Sequence, residues 1–191
     1  GRHSVGVARQ YSCTLGRVDN CQVVVTTQYV DRLFDWPVNA QLYLPKPWAE
    51  DQQRRAETRT PEEIEFRTKG EIALALIDEA EEAGLEKRLP VVADAGYGDQ
   101  PTFLDGLQRR KHPYIVAVGA TVQFRLATEV ESDPGDGEPP PYQGHGRPRK
   151  GSTLADRIPP REARAILATL SEEDWTRVAW REGRKGALVK E

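Results

Sequence analysis

A short apolar run, Leu89 to Ala93, ends on Asp94 and passes straight into Ala95-Gly96-Tyr97-Gly98-Asp99. The run is too short for a helix and is closed by glycines, so it reads as a buried strand. A helical pattern precedes it, with Ile72, Leu76 and Ala80 in one stripe, Ala73 and Ile77 beside it, and Gly84 in the usual stopping position. A second helix over Pro101 to Arg110 and a second buried strand over Tyr114 to Val118 follow. Strand, helix, strand in this order implies some parallel pairing, and with it an α/β protein.

The chain before this unit is strand-rich. Ser4 to Gln10 alternates, and Cys21 to Val30 is dense in Val and Thr. With the turn-rich stretch around Gly16 and Asp19-Asn20 between them, the two runs are predicted to be antiparallel neighbours. Val38 to Leu44 alternates as a third strand, ended by Pro45 and Pro47. Ala49 to Arg59 reads as a polar loop. Thr60-Pro61-Glu62-Glu63 then carries the signature of a helix start, predicting a helix to Ala83 with a break near Gly70.

After Val118 the pattern changes. Residues 127–153 hold Glu129, Glu131, Asp133, Asp136 and Glu138, three consecutive prolines, and then His145, Arg147, Arg149 and Lys150. This is the composition of a solvated, mobile insertion or linker, acidic first and basic second. Pro160 to Leu170 reads as a helix and Ser171 to Asp174 as a capped turn. Trp175 to Arg181 reads as a strand, and Gly183 and Gly186 as a turn into Ala187 to Val189.

The totals mainly exclude. No apolar run is long enough to cross a membrane. Two cysteines, Cys13 and Cys21, cannot form a disulfide framework, and neither they nor the three histidines have zinc-ligand spacing. The net charge of −3 gives no global argument for nucleic acid, so any such contact needs local basic clusters. Those present are Arg109 to His112, Arg147 to Lys150 with Arg157, Arg161 and Arg164, and Arg181 with Arg184-Lys185. The chain has no Met, as expected of either a native start with the initiator removed before the small Gly1 or a fragment, and the strand-like run that begins at once favours an internal fragment.

Asp94 is the main candidate for chemistry. Ligands in α/β sheets bind beyond the carboxyl ends of strands, often beside glycine-rich turns. Period two puts Asp94 on the face of Val92, and Ala93, Ala95 and Gly96 leave room for a metal, a phosphate or a backbone. Capping of the turn by the same carboxylate explains the residue equally well. Asp99, just before Pro101, reads as a helix cap. A dinucleotide loop is rejected, since Pro101 stands where a third glycine belongs.

Several segments together resemble the catalytic domain of insertion-sequence transposases of the DDE superfamily. They are Ser4-Val5-Gly6-Val7-Ala8-Arg9-Gln10-Tyr11 with Leu15-Gly16-Arg17 and Asn20-Cys21-Gln22-Val23, then Leu42-Tyr43-Leu44-Pro45 with Trp48, then Val91 to Asp99, and finally Trp180-Arg181-Glu182-Gly183 with Lys185-Gly186. The resemblance implies an RNase H-like mixed sheet flanked by helices, incomplete at both ends, with Asp94 as the second of three acids at the tip of a buried central strand. It implies two Mg²⁺ ions, bound by the three acids, and DNA as the substrate of strand cleavage and transfer. The first acid of the family falls before the position matching Gly1 and the last glutamate beyond that matching Glu191. Asp31, Asp35 and Glu182 do not stand where the motif needs them. These residues alone are therefore expected neither to cleave DNA nor to hold Mg²⁺ tightly. Arg147, Arg149 and Lys150 are expected to meet the DNA backbone. A bacterial cytoplasmic location and a homo-oligomer of the full-length protein are further expectations. The competing readings are a non-catalytic DNA-binding or interaction module derived from a transposase, and a small phosphohydrolase using Asp94 and Asp99.

Overall fold

The structure is a computed structural model that describes residues 4–12, 14–135, 137–139, 141–142, 144, 151–176, 178–183 and 186–190, the last two stretches as backbone. Arg147, Arg149, Lys150, His145, Arg184 and Lys185 lie outside the described residues. The chain divides into two compact units, Gly1–Ala117 and Val118–Glu191. Its class is mixed α/β with small sheets.

In the first unit, β1 (Ala8–Ser12) pairs antiparallel with β2 (Arg17–Cys21), and β3 (Val24–Val30) with β4 (Asp35–Leu42). The predicted neighbours, Ser4 to Gln10 and Cys21 to Val30, are thus not partners. The stretch read as a turn supplies β2, because Gly16 alone, at φ +63°, reverses the chain. Local pairing across a short turn wins over pairing of the two most apolar runs. Along β3, Val25 is buried while Val24 and Thr26 are exposed. The β3–β4 register skips Val38 opposite Thr27 and Gln28, a bulge beside Pro37, which lacks the N–H a regular ladder needs.

Two short helices follow, α1 (Lys46–Ala49) and α2 (Gln52–Glu57). Trp48 is buried, its indole N–H donating to the Val7 carbonyl at 2.6 Å. The polar loop expected over Ala49 to Arg59 is partly helix, since Asp51 caps α2 by accepting from the Arg54 N–H and the sequence after it is helix-forming. The helix start expected at Thr60 is also corrected. Arg55 donates to the carbonyls of Pro61, Glu62 and Ile64, at 2.7, 3.1 and 2.7 Å, holding that segment as loop. Helix α3 (Lys69–Glu82) begins instead at a second signature eight residues on, where Thr68 and Glu71 satisfy each other's backbone N–H groups.

Ile72, Leu76 and Ala80 are buried along α3, as their spacing predicts, and Gly84 ends it at φ +108°. Then come β5 (Val91–Ala93), α4 (Ala95–Gly98), α5 (Pro101–Arg109) and β6 (Tyr114–Val116), and β5 and β6 pair in parallel. The core joins Val25 to Ile72, Leu74, Leu76, Phe103 and Leu107, with Val91, Ala93 and Tyr114 packed against it. Gly106 lets α5 close on α3, since a Cβ there would lie 2.3 Å from a Leu74 methyl.

One expectation fails here. The resemblance implies a buried central strand at β5, yet Val92 is 71% and Ile115 73% exposed. Among the described residues β5 has one partner strand, and the helices cover one face. Parallel strands are usually covered on both.

In the second unit, β7 (Gln123–Phe124) pairs antiparallel with β8 (Arg161–Glu162). Between them lie α6 (Ala127–Glu131) and α7 (Leu154–Arg157). The stretch read as solvated from residue 127 thus opens with a helical turn, and Asp133 after it is clasped by Arg157, at 2.7 Å through both nitrogens. The helix predicted over Pro160 to Leu170 is confined to α8 (Ala163–Leu167), because Arg161 and Glu162 pair as strand. The capped turn at Ser171 is a single turn of 3₁₀ helix over Glu172–Asp174. β9 (Val178–Gly183) and β10 (Gly186–Lys190) pair antiparallel, with Gly183 opposite Gly186, the two glycines the sequence marks.

Candidate functional site

Asp94 stands directly after β5, at its carboxyl end, with extended backbone (φ −80°, ψ 179°). One carboxylate oxygen accepts the Gly96 N–H at 2.9 Å, and the Asp94 carbonyl accepts the N–H groups of Tyr97 and Gly98 at 3.1 and 3.0 Å. The capping role is therefore real. It occupies one oxygen, and a carboxylate has about four acceptor directions. The side chain is exposed, like Val92 two residues back, as the strand period predicts.

What holds this turn is close packing. A Cβ on Gly98 would fall 1.9 Å from the Ala117 carbonyl oxygen, so the backbone of α4 lies against the end of β6. The close approach of a backbone is thus made at Gly98, which is not among Ala93, Ala95 and Gly96, the small residues singled out from the sequence. Gln100 donates to the Gly96 carbonyl, while its own side-chain oxygen lies where a Cβ on Gly70 of α3 would reach, 2.8 Å away. Tyr97 packs on Phe103 with ring centroids 5.2 Å apart, joining the turn to the core. Asp99 sits at the carboxyl end of α4, and Gln100 precedes α5, which corrects the reading of Asp99 as the cap of α5.

The approach to β5 is anchored differently, by a polar network the sequence does not reveal. Arg110, just after α5, grips Asp78 of α3 with two bonds of 2.7 and 2.6 Å. The bond to Arg110 holds the Asp78 carboxyl below the usual carboxylate range, against the opposing effect of partial burial. His112, 7% exposed, places Nδ1 3.0 Å from the Leu89 carbonyl and Nε2 3.5 Å from the Glu81 carboxylate. Glu81 also accepts the N–H of Arg88, at 2.7 Å. Two members of the basic cluster at residues 109–112 are therefore internal ties. Nothing local marks them, since Asp78 and Arg110 are 32 positions apart.

Other basic candidates are likewise engaged in the second unit. Arg157 meets Asp133, Arg161 meets Glu129 at 2.6 Å, and Arg164 meets Glu162 at 2.5 Å. Asp31 is committed to a hairpin tip in the first unit, accepting from the N–H groups of Leu33 and Phe34. Among the described residues no three His, Cys, Asp or Glu side chains converge as a metal group would require. Asp94 can offer a hard oxygen to a cation, but one exposed carboxylate does not make a metal centre.

An acidic side chain at the carboxyl end of a parallel strand, fixed by a glycine-bearing turn, is the arrangement of an α/β protein with its chemistry at the strand ends. A family model described as DDE superfamily endonuclease matches residues 1–187, and the chain belongs to that family, a transposase-like domain. Comparison with curated proteins and with solved structures finds no match.

Proposed function

We propose that this chain is the part of a DNA transposase that supplies Asp94 to a centre for DNA strand cleavage and transfer. The observation that carries the reading is the family match over residues 1–187 together with the exposed carboxylate at the end of β5. Asp94 acts as the second of three acids, the others coming from outside the segments that match the motif. The fold is RNase H-like, and the edge of β5 that has no partner strand among the described residues is the place of a further strand. Asp94 and the two other acids, once assembled, would together hold divalent metal, in practice Mg²⁺, which would supply charge neutralisation at the scissile phosphate. The residues of this chain hold and orient one carboxylate through Gly96, Gln100 and Gly98. By themselves they are inactive. Arg147, Arg149 and Lys150 meet the DNA backbone, and the working protein is a homo-oligomer in the bacterial cytoplasm.

In the transposase that carries this segment, Asp94→Asn should abolish strand cleavage of a transposon-end duplex while the protein still binds it. Cleavage at the unsubstituted rate would overturn the assignment of Asp94. The isolated chain should not nick supercoiled DNA with Mg²⁺. Neutralising Arg147, Arg149 and Lys150 together should weaken DNA binding. The logarithmic salt slope should then flatten by about 0.9 for each phosphate that is no longer neutralised.

The lack of a three-acid group among the described residues favours a second reading, a non-catalytic DNA-binding or interaction module derived from a transposase. Unchanged function of Asp94→Asn in the cell, with DNA binding intact, would select it.

A further inference from the structure

Away from Asp94, the first unit carries an apolar groove of about 400 Å³ between the β3–β4 hairpin and the end of α3. Tyr29, Phe34, Trp36 and Val38 form one wall, and Ala80 and Leu85 the other. The groove is preformed. Asn39 of β4 donates to the Leu76 carbonyl of α3 at 2.9 Å, fixing the hairpin on the helix. The bulge at Val38 sits in its wall. Asp31 closes the hairpin tip by accepting from Leu33 and Phe34, both at 2.7 Å, and from the Tyr29 hydroxyl at 3.2 Å.

That rigid tip holds Leu33 85%, Phe34 62% and Trp36 68% exposed. Large apolar side chains held contiguously in water mark an interaction surface more often than an accident of folding. The charge around them is mainly negative. Asp31 stands at the hairpin tip, Asp35 on the opposite face of β4 from Trp36, and Glu79, Glu82 and Glu86 on or just after the end of α3, against Arg32, Lys87 and Arg88. Asp31 and Glu86 both act on Tyr29, whose phenol is raised from its ordinary value chiefly by the hydrogen bond to Asp31. Such a rim repels a phosphate backbone and a second copy of this acidic chain, and it attracts lysine and arginine.

We propose that this groove docks a short segment of a partner protein in which apolar residues are flanked by lysine or arginine. The apolar side chains fill the groove against Phe34 and Trp36, and the cations meet Glu86 at its rim, beside Tyr29. The idea goes beyond the nuclease reading and does not depend on it.

The test uses two fluorescent amphipathic peptides with the same leucine positions, one with lysine and one with glutamate at the others. Anisotropy should show the lysine peptide binding at least tenfold more tightly. Phe34→Ser with Trp36→Ser should weaken that binding at least tenfold. Glu86→Lys should abolish the preference for the lysine peptide. All three side chains are exposed, and unchanged circular dichroism will show that the variants fold. Equal binding of both peptides, or indifference to the Phe34 and Trp36 changes, would overturn the proposal. So would dimerisation of the chain that those two changes abolish, because the occupant would then be a second copy.

Discussion

The two ends of β5 solve opposite problems with the same residue types. At its entry, Leu89 is tied by a buried His112 to Glu81, and Asp78 is locked to Arg110. At its exit, Asp94 is exposed and uses one oxygen to cap its own turn. The entry charges compensate one another, and their removal is a matter of stability. The exit carboxylate has no cationic partner among the described residues, and its turn is held by backbone packing on Ala117. Charge is thus compensated at the entry and left open at the exit, where the surrounding backbone is closely packed.

The largest effect should come from breaking the exit. Gly98→Ala places a methyl group 1.9 Å from the Ala117 oxygen, and the backbone must move. We expect a loss of about 3 kcal/mol in urea unfolding, with faster hydrogen exchange of the Ala117 amide, which bonds to Ala93. Next, His112→Ala strips partners from Leu89 and Glu81 in a buried place and should cost about 2 kcal/mol by the same measurement. Asp78→Asn loses a charge-assisted pair in which the Arg110 and Asp78 side chains are 34% and 43% exposed, so solvent screening reduces the expected cost to about 1 kcal/mol.

The same pair yields a pH dependence. Asp78 has its folded pKa depressed by Arg110, so its contribution is present above the ordinary carboxylate range and is lost as pH falls through the lower, folded value. Urea midpoints measured from pH 6 downward should fall for the natural chain and fall less for Asp78→Asn. Equal slopes would show that the pair contributes nothing. The smallest effect on stability belongs to Asp94→Asn, because asparagine caps a turn as well as aspartate does, and a change within about 0.5 kcal/mol is expected. A cost as large as that of His112→Ala would make Asp94 a structural residue and erase the contrast between the two ends.

The parts of this fold legible in the sequence are those set within a few residues. The α3 stripe, the stop at Gly84, the strand ending on Asp94 and the hairpin at Gly183 and Gly186 all follow from periodicity and turn chemistry. The start of α3 is not legible in this way, because two capping signatures lie eight residues apart, and Arg55 holds the carbonyls after the first of them in a loop. Strand partners escape local reading for a similar reason, since alternation says that a strand has an inner face but not which strand lies beside it.

At the site, the position of Asp94 at a strand end is legible from order along the chain. The reach of Gly98 to Ala117, the grip of Arg110 on Asp78 and the burial of His112 are not. Each joins residues far apart in sequence, through packing that exists only once α3 and α5 have met. Local steric and hydrogen-bond preferences therefore determined the elements and put a carboxylate at a strand end. Packing between distant elements decided which charges are compensated, as at Asp78 and His112, and left the Asp94 carboxylate open to solvent.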